Sequence, residues 1–365
     1  MAIAAPKPSR IEELTALRGM AALVVLFSHL LLIYPLSRET LVAAGFLINP
    51  HAAVILFFVL SGFVLARSLE NVTAIFWSRS LRFWLKRLFR IYPAIWAATA
   101  LAIILVWLRP DIPDTILARW PVNHMANLSL HNITMTLAAW NAALIPPLWT
   151  IYVELVGSLF VPFMVWIARK SKLAGLAMVA VLAALSLAAK GWPHPWSASL
   201  YLVHFALGVI IAVHGQQLRK TPALLFALSG LAGLTVFRTI YFFGITGEWK
   251  MGTYDYGNPA PGLMEGFAAT MLVAALANGA LALAWLRSGL MRALGEWSYS
   301  LYLTHLPIML FLACLLPAQT PVTATVLLGG LTLIGTLLVS SVIHRMVELP
   351  GIALGKRIAR RFIPA

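Results

Sequence analysis

Apolar residues fall in long runs, separated by short polar or basic stretches, from Leu17 to the C-terminal region. A bilayer core takes roughly 20 helical residues to cross. The runs predict ten spans, at approximately 14–35, 51–67, 91–108, 148–168, 173–189, 198–214, 222–243, 263–286, 297–316 and 322–344. They are continuous rather than alternating, which excludes a barrel of short strands. The expected fold is an all-α polytopic membrane protein of about ten transmembrane helices. It is read as a single domain over 1–365 with short cytoplasmic tails, about 1–13 and 345–365. The fifth and sixth spans are the weakest, because the fifth is short and Ala-rich and only Lys190 to Ser197 separates them.

Composition agrees: 61% of residues are hydrophobic and 11% charged, where a soluble protein carries about a quarter charged. The net charge of +15 would suggest nucleic acid in a soluble chain, but its distribution explains it better. With the N-terminus inside, 21 of the 27 Lys and Arg residues fall on cytoplasmic segments. The outward face keeps Arg38, Arg109, Arg119, Lys190, Arg238 and Lys250. That bias fits an even number of spans with both termini cytoplasmic, and no nucleic-acid partner is expected. The single cysteine, Cys314, permits no intramolecular disulfide and no cysteine metal site. The first apolar segment is too long for a signal core and is expected to stay as an anchor.

Ionisable residues inside such runs are expensive and usually mark a substrate, ion or proton pathway. Arg18 and His29 lie eleven residues apart on the first predicted helix, hence on one face and roughly 16 Å apart along the axis. Glu154, six residues into the fourth span, is expected at the depth of His29. A carboxylate there would fix the imidazole as a general base, whereas the plainer reading is a polar pair locking two helices. His305 near the middle of the ninth span is either a ligand contact or a packing hydrogen bond; His51, His204 and His344 read as structural or interfacial. Ser61 and Gly62 interrupt the bulky run Phe57 to Phe63 and suggest close helix packing more than a nucleophile.

Arg79, Arg82, Lys86 and Arg90 line one face of a predicted juxtamembrane helix. They suit anionic lipid headgroups or a phosphate-bearing cytosolic substrate. Pro93 is expected in the first turn of the span that follows. The outward loops Arg109 to Pro147, with His124 and His131, and Gly244 to Gly262, with Glu248, Lys250, Asp255 and Tyr256, are too small for independent domains. No His/Asp/Glu spacing resembles a metal site, so no metal is expected.

Taken together these segments resemble the acyltransferase 3 family of membrane-bound O-acyltransferases. The resemblance rests on Leu14 to Gly19 through His29, Phe57 to Phe63, Arg87 and Arg90 with Tyr92-Pro93, Trp149 to Glu154, Ser298 to His305, and Glu348-Leu349-Pro350. It implies transfer of an acyl group, commonly acetyl from acetyl-CoA, to a hydroxyl of a polysaccharide, glycolipid or other exported acceptor. His29 matches the proposed catalytic histidine, acting as a base or briefly carrying the acyl group itself, and Arg18 its functional partner; Arg87 and Arg90 match the arginines thought to assist acyl-CoA binding. On the same reading Glu154 joins the catalytic group, Ser61 and Tyr92 the donor site, and Trp149, Tyr152 and His305 the acceptor site. Many relatives append a secreted hydrolase-like domain, which this sequence does not show. Either His29 loads the acceptor directly, or a separate periplasmic or extracellular transferase completes the reaction. The implied location is the plasma membrane, a bacterial inner membrane, among its lipids. A proton-coupled transporter or flippase explains the intramembrane ionisable residues but not the arginine pair.

Overall fold

The structure is a computed structural model and describes residues 11–69, 76–111, 128–215, 222–241, 258–277, 283–316 and 320–363. Lys7, Arg10, Arg119, His124, Arg219, Lys220, Glu248, Lys250, Asp255 and Tyr256 lie outside these residues. Among the described residues every regular element is helical. Eight stretches among the described residues are long and apolar enough to cross a membrane. Two shorter apolar helices, Lys172–Ala188 and Ala223–Phe237, lie where two further spans were expected. The surface inverts that of a soluble protein: Trp107, Val326 and Leu338 are exposed, while Glu265, His305 and Glu348 are buried. The chain is an all-α polytopic membrane protein.

Five helices close a ring. They are α1 (Glu12–Leu30), α3 (Pro50–Ser68), α4 (Phe76–Leu108), α6 (Leu148–Lys170) and α11 (Gly289–Leu315). Around the ring, α1 touches α11, α11 touches α4, α4 touches α6, α6 touches α3, and α3 returns to α1. The short helices α2 (Arg38–Leu47) and α5 (Leu130–Leu137) lie in the connections. Outside α3 lie α8 (Leu202–His214) and α10 (Pro259–Ala277), with α7 (Lys172–Ala188) on α8 and α9 (Ala223–Tyr241) on α10. On the other side α12 (Pro321–Ile343) covers α11, and α13 (Leu349–Phe362) lies on α4.

Local chemistry sets several helix starts. Asn49 caps α3 by accepting from the Ala52 N–H, and Pro50 occupies the first turn, where a missing N–H costs nothing. Glu12 and Glu13 complement the positive end of α1 and reach across to Arg292 at 2.7 Å and Arg287 at 2.6 Å. Above these pairs α1 and α11 come into near backbone contact. A Cβ on Gly19 would stand 2.8 Å from Gly295 N, and one on Gly295 would strike Thr15 O. Ten residues further along each helix His29 meets His305, so the two helices are parallel and in register. Gly62 plays the same part between α3 and α8, where an added Cβ would meet Phe205 O. The packing reading of that glycine stands.

One expectation is corrected. The basic juxtamembrane helix and the third span are one continuous helix, α4, so Pro93 lies inside it rather than in a first turn. Proline lacks the N–H that would bond Phe89 O four residues back. Gly351 of α13 nests there, where a Cβ would be 2.7 Å from Phe89 O and 3.0 Å from the Pro93 ring. The stretch read as a cytoplasmic tail from 345 is helical. It begins with a π-helical turn, His344–Glu348, in which Leu349 N–H bonds His344 O. Pro350 cannot supply the next α-helical N–H, which favours the wider turn. α13 follows, buried through Gly351, Gly355 and Ala359.

Candidate active site

Thr150, Glu154 and Ser158 recur every four residues on α6 and form a stripe facing into the ring. Arg87 of α4 forms an ion pair with Glu154 and donates through Nε to Ser158 Oγ at 3.3 Å. Ser61 of α3 donates to the same Glu154 oxygen at 3.5 Å. Arg18 of α1 lies within electrostatic reach of Arg90, Glu154, Arg87 and Glu348. Arg90 is flanked by Arg87, Glu348, Glu154 and Tyr299. Glu348 enters from the π turn, where Ser300 donates to one oxygen and His344 Nδ1 to the other at 3.1 Å. Tyr299 donates to Ile91 O at 3.0 Å and fixes α11 against α4 at this level.

Three arginines thus face two carboxylates in the middle of a helical bundle, leaving one positive charge over. Uncompensated charge in such a place is costly unless a ligand completes it. The cluster is not sealed, since the Arg87 and Glu154 side chains keep 12% and 21% of their surface. Arg18 and Arg90 also remain partly accessible. The arrangement is a cationic pocket open to an anion, and guanidinium groups bind phosphate bidentately.

The second centre lies further along α1. His29 Nδ1 and His305 Nε2 are 3.0 Å apart, with their rings stacked at 5.2 Å. His305 Nδ1 is 3.2 Å from the carbonyl of Leu301, which can only accept. His305 Nδ1 therefore carries the proton and its Nε2 accepts from His29 Nδ1–H. This chain of bonds leaves the lone pair of neutral His29 on Nε2. His305 is fully buried, whereas His29 keeps accessible surface. Tyr302 stands 5.8 Å from the His305 ring, packs edge-on to Phe57, and shares a 3.0 Å hydrogen bond with Thr150.

A stripe of α3 joins the two centres. Phe57, Ser61 and Val64 keep accessible surface at helical spacing, while the residues between them are buried. Ser61 belongs to the arginine cluster and Phe57 touches the tyrosine beside the imidazoles.

With this geometry in hand, the comparison with known families is decisive: residues 11–345 match the acyltransferase domain family Acyl_transf_3. The chain belongs to the acyltransferase 3 family. No curated protein and no solved structure matches it.

In this acyltransferase 3 chain the structure brings Arg18, Ser61, Arg87, Arg90 and Glu154 together, and separately pairs His29 with His305. It does not place Glu154 against His29. That carboxylate is taken by Arg87 and Ser61, and the imidazole instead donates its hydrogen bond to His305 of α11. Nor does Tyr92 reach the arginines. Two residues beyond Arg90 it points away, and its hydroxyl donates to Ala138 O at 3.1 Å. Trp149 and Tyr152 lie off the α6 stripe. Trp149 is beside Tyr201 at 5.5 Å, and Tyr152 beside Trp140 at 5.8 Å and His194 at 4.5 Å. His194 is outside the spans, and its partial burial holds its imidazole below the ordinary histidine value.

Glu348, Ser300, Tyr299 and His344 were not expected at the site, although Glu348-Leu349-Pro350 and Ser298 to His305 were singled out as segments. A second buried polar cluster also appears, in which His51 Nδ1 binds Glu265 and Asn49 donates to Glu265 at 2.7 Å and to Leu234 O at 2.9 Å. Among the described residues no group of three or more His, Cys, Asp or Glu side chains could hold a metal ion.

Proposed function

We propose that this protein is a single-domain O-acyltransferase of the plasma membrane, a bacterial inner membrane. It moves an acyl group, acetyl in the first instance, from cytosolic acyl-CoA to a hydroxyl of an exported or surface polysaccharide or glycolipid. One juxtaposition carries the reading: a net-positive arginine pocket and an imidazole with a directed lone pair occupy the same face of α1, roughly 16 Å apart. That spacing suits a donor with an anionic nucleotide at one end, a reactive thioester at the other and an extended pantetheine arm between them.

The basic end of the bundle is then the cytoplasmic end. Phosphates of the donor complete the charge of Arg18, Arg87 and Arg90, with Glu154 and Glu348 keeping those guanidinium groups in place. The thioester lies along the Ser61–Phe57 stripe, near His29. His29 Nε2 removes the acceptor's hydroxyl proton as its oxygen attacks the thioester carbonyl. The new C–O bond forms, the C–S bond breaks, and the proton passes to the departing CoA thiolate. His305 holds the ring in the productive tautomer and stabilises the imidazolium between the two proton transfers. The outer aromatic group of Trp140, Tyr152 and His194, with Trp149 nearby, offers flat faces on which a sugar can stack.

The test uses purified protein with acetyl-labelled acetyl-CoA and membrane glycolipid from its host. Wild type should release CoA and label the acceptor. His29→Ala should do neither while still binding CoA. Solute movement without CoA release would instead identify a carrier.

A further inference from the structure

Beyond the arginine pocket, α4 and α13 hold a second group of cations. α13 is strongly amphipathic: Gly351, Gly355 and Ala359 face α4, while Lys356 and Arg360 are exposed. The seat leaves little slack. A Cβ on Gly355 would lie 2.5 Å from Phe89 Cβ, and Gly351 rests on Phe89 O and Pro93. Arg82 Nε donates to Ile363 O at 2.7 Å and ties down the far end of α13. This fixed docking brings like charges together. The charged groups acting on Lys86 are Arg82, Arg360 and Lys356, all cations. Packing two helices so that these four cations converge concentrates positive potential where an anion can bind.

The position narrows the choice of anion. Arg82, Lys86 and Arg90 are spaced four residues apart, a ladder along one face of α4 rising about 12 Å. Its last rung belongs to the arginine pocket inside the ring. A ligand phosphate at Lys86 is therefore one helical turn from the pocket that receives the pyrophosphate. Lipid headgroups share the phosphate chemistry, but have no group that follows the ladder inward.

We propose that Lys86, Lys356 and Arg360, with Arg82, form the seat for the ribose 3′-phosphate of the acyl donor, the dianionic phosphomonoester at its nucleotide end. The site rests on the reading of the donor as an acyl-CoA. It makes the α4–α13 junction a specificity element that distinguishes CoA thioesters from thioesters lacking that phosphate.

The experiment compares wild type with a Lys86→Gln/Lys356→Gln variant in nanodiscs of zwitterionic phosphatidylcholine. Two readouts are taken. Binding of adenosine 3′,5′-bisphosphate is measured against AMP, which needs no catalysis. KM is measured for acetyl-CoA against acetyl-3′-dephospho-CoA. Wild type should favour the 3′-phosphorylated member of each pair by about tenfold, and the variant should lose that preference with kcat retained. A wild type that does not discriminate in binding overturns the proposal, as does a variant that weakens both members equally. Repeating the work with phosphatidylglycerol present separates the lipid source. If the substitutions act only when that lipid is present, the cations serve the membrane and the proposal falls. Intact nucleotide discrimination without acyl transfer would uphold the site and overturn the enzymatic reading instead.

Discussion

Replacing His305 with leucine removes the acceptor for the Nδ1 proton of His29 while filling a similar volume in a buried position. On the proposed mechanism the lost bond matters most when His29 holds the acceptor's proton, because the hydrogen-bond donor is then an imidazolium. A hydrogen bond to a charged group contributes about 1.5–3 kcal/mol. At roughly 1.4 kcal/mol per decade, kcat should fall by about 10- to 150-fold. KM for the acyl donor should move little, since its phosphates are held roughly 16 Å away along α1. His305→Gln restores an acceptor oxygen and should recover most of the rate. The assay is steady-state CoA release over a range of donor concentrations, with retention of fold checked by thermal unfolding in detergent. A His305→Leu enzyme with full kcat, or one that loses only donor affinity, would refute the tautomer argument.

The Arg87–Glu154 pair gives a second expectation. Arg87→Gln removes the direct partner of Glu154 but leaves Arg18 and Arg90 near it in a partly open cluster, so the melting temperature should drop only modestly, by less than a sealed buried pair would give, while donor KM should rise. Arg87→Gln/Glu154→Gln should regain much of the stability but not the donor affinity; recovery of both would remove Arg87 from the donor site. At the second polar cluster, Glu265 joins α10 to Asn49 and His51, and through Asn49 to Leu234 of α9. Glu265→Ala should destabilise the protein by about 3–5 kcal/mol in chemical denaturation, and a loss under 1 kcal/mol would show that the cluster is not a helix staple.

What the sequence made legible was whatever one helix determines. The eleven-residue interval put Arg18 and His29 on one face, and the four-residue steps from Arg82 to Arg90 aligned the cations. Length and hydropathy alone identified the membrane class. What depended on which helices are neighbours was not legible. The ends of the predicted spans give Glu154 the depth of His29, whereas the structure holds it with Arg87 at the level of Arg18; its depth as well as its azimuth depended on how α6 packs. α4 lies between α11 and α6, so its Arg87 takes the carboxylate. His29 and His305 were each conspicuous, yet nothing short of the α1–α11 register joined them. Glu348 was hidden for another reason: an α-helical continuation past His344 would have set its azimuth differently, and only the π turn ahead of Pro350 aims it at Arg90. Pro93 misled because a proline is commonest in a first turn, whereas here Gly351 covers the carbonyl it leaves without a partner.

The parallel register of α1 and α11 makes the two centres parts of one device. Gly19 faces Gly295 and His29 faces His305, an interval of ten residues on both helices, the three-plus-seven spacing of a heptad seam. At the glycine end the backbones are too close for a side chain, so neither helix can slide or rotate without a clash. At the histidine end the fit is a single hydrogen bond whose direction decides which nitrogen is basic. Arg18 is next to the first contact and His29 is in the second. The distance from phosphate pocket to basic nitrogen is therefore fixed by rigid backbone rather than by flexible side chains. On the proposed function, a donor would be measured against it by the length between its anionic end and its thioester. That is why changes at the arginines should register in KM and changes at the imidazoles in kcat, although all of them belong to a single reaction.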